Sequence, residues 1–119
     1  MFKEICVLNN WVEQLNNLRN SSGAFASANP AVMDAYRGLN NAQASGSALD
    51  AKTRELISLA VAITTRCDGC ISSHAAAARK AGATEAEVSE ALGTAIALNA
   101  GAAFVYSVRA MEAFGQFKE

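Results

Sequence analysis

Residues 50–74 read DAKTRELISLAVAITTRCDGCISSH, and this stretch decides the fold. Asp50 is a residue type that accepts backbone N–H bonds at a helix start. Leu56, Ile57, Leu59, Val61 and Ile63 then make the following helix apolar nearly all round, as a central, buried element would be. A further helix opens around Cys67-Asp68-Gly69-Cys70 and closes at Gly82, with Arg79 and Lys80 placing positive charge beside its carboxyl end.

Working outward, Thr84-Glu85-Ala86-Glu87 forms a capping box for a fifth helix that runs to about Asn99. Gly101 separates it from a sixth carrying Phe104, Val105, Val108, Met111 and Phe114. Upstream, Ile5, Leu8, Val12 and Leu15, with Trp11 and Leu18, keep the three-four rhythm of a helix from about Lys3 to Arg19. Asn20-Ser21-Ser22-Gly23 reads as a turn, and Asn29-Pro30 caps a second helix running to about Gln43, near Ser45-Gly46. The expected fold is all-α: one domain, 1–119, with about six helices.

Hydrophobic residues make up 51% of the chain and charged ones only 18%, too few to coat a small monomer, so some apolar surface is expected to meet other copies. A net charge of −1 offers no field for nucleic acid or an anionic membrane. The charge-free stretch Ala91 to Val108 barely reaches the ~18 residues of a span and is interrupted by Thr94, Asn99, Gly101 and Ser107. The amino terminus lacks a secretory pattern, so the expectation is a soluble, cytoplasmic protein.

The chemistry lies in Cys67, Cys70 and His74, which at i, i+3 and i+7 project from one helix face. A helix amino end favours thiolate over thiol, and His74, one turn beyond Cys70, can take its proton. Two sulfurs at this spacing close a disulfide, storing two oxidising equivalents. Glu55, a carboxylate in an otherwise apolar helix, needs a partner and completes a relay with His74. Zinc could in principle bind Cys67, Cys70, His74 and Glu55, yet structural zinc usually draws ligand pairs from two separated loops, and no metal or other cofactor is expected. Covalent haem needs histidine directly after the second cysteine, where Ile71 stands. Cys6 reads as a small buried hydrophobe and Trp11 as packing.

Glu55, Cys67, Cys70 and His74 together fit E-x11-C-x2-C-x3-H, which resembles the AhpD-like branch of the carboxymuconolactone decarboxylase superfamily; the likeness extends from about Leu49 to Phe114. The resemblance implies a helical protomer assembling as a homotrimer or homohexamer with the redox site near a subunit contact. It implies hydroperoxide reduction, or reduction of a protein disulfide, at the expense of a dithiol or protein reductant. Cys70 inherits the attacking role, Cys67 the resolving role, and Glu55 with His74 the proton relay. The position of Cys67 at a helix start pulls the other way, towards Cys67 as nucleophile. Gly69 stands where some family peroxidases carry a further histidine. Two other readings are a decarboxylase, which would not depend on a cysteine pair, and a non-catalytic redox sensor.

Overall fold

The computed structural model describes residues 8–118, so Ile5 and Cys6 lie outside the described residues. The described residues are all-α, in five helices: α1 (Trp11–Ala28), α2 (Pro30–Ala44), α3 (Ala51–Thr65), α4 (Asp68–Lys80) and α5 (Glu85–Gln116). α3 packs against α4 and α5, while α1 packs against α4 and α2.

Most of the boundaries follow from capping. The Asn10 side chain accepts from Glu13 N, Asn29 from Val32 N, Asp50 from Thr53 N at 2.8 Å and Thr84 from Glu87 N at 3.1 Å. Glu87 returns the bond to Thr84 N at 3.0 Å, which closes the capping box. The same Glu87 reaches Lys52 Nζ at 2.9 Å, tying the start of α5 to the start of α3. The N–H of Thr84 and the Lys52 ammonium hold the Glu87 carboxyl below the usual glutamate range. The same pairing raises Lys52.

Three elements differ from the sequence reading. The first helix, expected from about Lys3, begins at Trp11, because the Asn10 side chain caps it there and leaves Leu8 outside it; residues before Leu8 lie outside the described ones. The expected turn at Asn20-Ser21-Ser22-Gly23 lies inside α1. Ser22 Oγ donates to Leu18 O at 2.6 Å, so a side chain able to compete with the helix backbone is satisfied within it. The expected fifth and sixth helices are one 32-residue helix running through Gly101. An interior glycine costs only about 1 kcal/mol relative to alanine, and Ala100, Ala102 and Ala103 surround it with the strongest helix former. α5 is consequently long and apolar enough, by length and composition, to cross a membrane.

The core within one chain is small. Leu15, Leu59, Ala62, Ala78 and Ala95 are its buried apolar residues, and no large side chain among the described residues is fully buried. α2 buries none of its residues, and α5 buries only Ala95. Phe104, Tyr106, Met111 and Phe114 stand exposed along the distal half of α5, Phe114 at 80%. The radius of gyration is 18.7 Å, against about 13.5 Å for a compact chain of this length. The accessible surface is 9386 Å², half as much again as the roughly 6,100 Å² typical of a folded monomer of this mass.

Candidate active site: a disulfide, a histidine and a carboxylate between α3 and α4

A two-residue link, Arg66 and Cys67, turns the chain from α3 into α4. Arg66 takes the left-handed conformation at φ 56°, and its N–H and that of Cys67 both reach Ala62 O. This closes the carboxyl end of α3 in the way glycine usually does. The tight link lays α4 back along α3, so residues far apart in sequence face one another.

Cys67 and Cys70 form a disulfide with a Cα–Cα separation of 5.2 Å, within the usual range for such bonds. Cys67 is not on the helix: it is the residue that caps α4, in extended conformation, and its Sγ accepts from Cys70 N at 3.1 Å. The expected single face of three residues is thus a cap followed by two helical positions. Cys70 and His74, one turn apart on α4, line a cavity of about 250 Å³ together with Ile57, Ser58, Val61, Ala62 and Thr65 of α3.

Glu55, from the second turn of α3, meets His74 from the side. His74 Nδ1 lies 3.0 Å from Glu55 Oε1 and 3.2 Å from Oε2. A carboxylate accepts, so Nδ1 is the nitrogen that donates in this pair, and Nε2 is left outside the bond to Glu55. Glu55 is 18% exposed and His74 31%, so the pair is sheltered on α3 and α4, with His74 reachable from the cavity. All four residues singled out in the sequence therefore come together.

Sequence reasoning missed Leu18. A Cβ built on Gly69 would stand 2.9 Å from Leu18 Cδ2, so α1 lies directly over the turn that carries the disulfide. Leu18 was legible as apolar, but nothing in its spacing said which turn it would cover. A side chain at position 69 would displace the end of the Leu18 side chain. Ser72, also unremarked, is buried with its hydroxyl donating to Gly69 O at 3.0 Å.

The sequence matches the carboxymuconolactone decarboxylase family over residues 30–113, and the chain belongs to that family. It is 56% identical over 104 residues to an uncharacterized protein of Haemophilus influenzae, covering 87% of this chain and 92% of that protein. It is 36% identical over 89 residues to an uncharacterized protein of the cox locus of Paracoccus denitrificans, covering 75% and 80%. Among solved structures it resembles the apo form of a carboxymuconolactone decarboxylase family protein from Legionella pneumophila, with a TM-score of 0.71 and 32% identity, covering 92% of this chain and 97% of that one.

Proposed function

We propose that the protein is a thiol-dependent peroxidase of the AhpD-like kind, able also to act as a disulfide reductase, and that Cys67 and Cys70 are its redox pair. The observation that carries this reading is the cavity shared by Cys70 and His74, with the other nitrogen of His74 engaged by Glu55. In the reduced enzyme His74 Nε2 takes the proton of Cys70, and the thiolate attacks the terminal oxygen of a hydroperoxide. The O–O bond breaks, an alcohol leaves with that proton, and Cys70 becomes a sulfenic acid. Cys67 attacks the sulfenic sulfur, water leaves and the disulfide forms. A dithiol, or a protein carrying one, returns two electrons.

The protein works as a homo-oligomer, a trimer or hexamer. The reading is supported by the apolar side chains exposed along α5 and by the surface in excess of a compact monomer. We favour this over a membrane role for α5 because its proximal half packs on α3, where Asn99 Nδ2 donates to Thr64 Oγ1 at 2.8 Å. A reducing cytoplasm suits a pair that must be re-reduced at each cycle. Peroxide consumption by the reduced protein, measured with dihydrolipoamide and dithiothreitol as donors, tests the function. Continuous turnover is expected, whereas consumption of a single equivalent per protein would mark a sensor.

A further inference from the structure

The two sulfurs of the disulfide stand in different surroundings. Cys70 lines the cavity with His74, whereas Cys67 is absent from that lining and stands in front of α4, its Sγ 3.1 Å from Cys70 N. We infer that a reducing thiolate attacks Cys70 and expels Cys67, whose leaving sulfur is received by the Cys70 N–H at the amino end of α4. The inference rests on the redox reading above but concerns only which sulfur is attacked and which departs.

The electron count fixes what the N–H must do. As the thiolate of an external dithiol bonds to Cys70 Sγ, the electron pair of the Cys67–Cys70 bond moves onto Cys67 Sγ. A bond that is weak to a neutral disulfide sulfur then becomes charge-assisted, and it is already in place when the charge develops. The positive end of α4 acts in the same direction, as does Arg66 immediately before the cap, while Asp68 in the first turn opposes them. Leu18, the α1 residue over this turn, brings no charge. A thiolate stabilised in this way is the better leaving group.

The cycle closes at Cys70. The second thiol of the reductant gives its proton to His74 Nε2 and attacks the reductant sulfur held on Cys70. Cys70 departs and takes that proton back. One dithiol has become a disulfide, and the pair holds two more electrons. In the oxidative direction the same N–H keeps Cys67 ready as the thiolate that resolves a sulfenic acid on Cys70. Capping of a helix by a sulfur is thereby part of the chemistry and not only of the fold.

The experiment uses the wild-type chain in its oxidised form, mixed with excess glutathione, quenched in acid over a time course, and mapped by mass spectrometry. The mixed disulfide should sit on Cys70, with Cys67 free, by roughly tenfold or more, the scale of a hydrogen bond to a charged group. A glutathione adduct on Cys67, or one shared evenly, overturns the inference even if peroxide turnover is found. An adduct on Cys70 without turnover sustains it while the peroxidase reading fails. Thiolate absorbance of the Cys70→Ser variant at neutral pH supplies a second readout, since the backbone N–H of residue 70 is retained. The Cys67 signal should fall several-fold on unfolding in urea, and a signal no greater in the native chain also overturns the inference.

Discussion

The α3–α4 hairpin and the distal half of α5 both carry apolar side chains, and the distal half of α5 is the richer in them, yet the hairpin is closed and α5 is open. In the hairpin, Asp50, Arg66 and Cys67 each settle a helix end, and Leu59, Ala62 and Ala78 are buried. Along α5 beyond Asn99, Phe104, Val105, Val108, Met111 and Phe114 all stand exposed. The site is thus assembled by local chain turns within one copy, while the apolar arm is left for something outside it. The proposed chemistry and the proposed assembly would draw on separate parts of the molecule, and variants should separate them.

The largest expected effect is on the chemistry. Cys70→Ser should reduce peroxide consumption to background, as measured in the dithiol-coupled assay, with helicity by circular dichroism unchanged. His74→Ala or Glu55→Gln should slow turnover by about 10²-fold, the lower range for a positioned acid–base group. Their activity should also climb to higher pH, because Cys70 then ionises without its base and an ordinary thiol titrates near 8.5.

On the other side of the comparison, Phe104→Asp combined with Met111→Lys should release protomers. Burial of each such side chain is worth about 1.5–3 kcal/mol, and light scattering at micromolar concentration would read the loss of mass. A wild-type chain already monomeric in that measurement would remove the assembly half of the comparison. A smaller effect belongs to the hairpin turn: Arg66→Gly should raise stability by up to about 1 kcal/mol in urea unfolding. A left-handed non-glycine residue costs roughly 1–2 kcal/mol, partly offset by the freedom glycine adds to the unfolded chain.

The smallest effect concerns the caps of α3 and α5. The Thr53 hydroxyl and N–H hold Asp50 below the usual aspartate range, as the Thr84 N–H and Lys52 do for Glu87. Both carboxyls therefore contribute stability that is present above their unfolded values and is lost as pH falls through the lowered folded ones. Glu87→Gln should flatten the acid side of a thermal-melt profile slightly and leave neutral-pH activity unaltered.

The fold class and most caps were legible because each depends on local chemistry. Asp50, Asn29 and Thr84 are capping residues by type, and Gly82, at φ 89°, closes α4 as its type suggests. The Glu55–His74 bond was legible for another reason: a carboxylate on an apolar helix must find a partner. What sequence did not reveal depended on balance or on tertiary contact. Gly23 and Gly101 read as breaks, but a glycine weakens a helix by too little to end one when its neighbours favour it. Cys67 read as one of three residues on a helix face, and it stands in the cap because the link between α3 and α4 is only two residues long, Arg66 and Cys67 itself. Leu18 over Gly69 could not be placed from periodicity, which gives a face and not its partner.

The order of events at the two sulfurs is tested most directly by mass spectrometry of the Cys67→Ser variant after one equivalent of hydroperoxide, with dimedone present to trap sulfenic acid. The adduct is expected on Cys70, formed rapidly and slowed by about 10²-fold when His74 is also replaced by alanine. An unmodified Cys70 in that variant, alongside rapid oxidation of Cys67 in Cys70→Ser, would contradict it and make the helix-capping sulfur the one that meets peroxide.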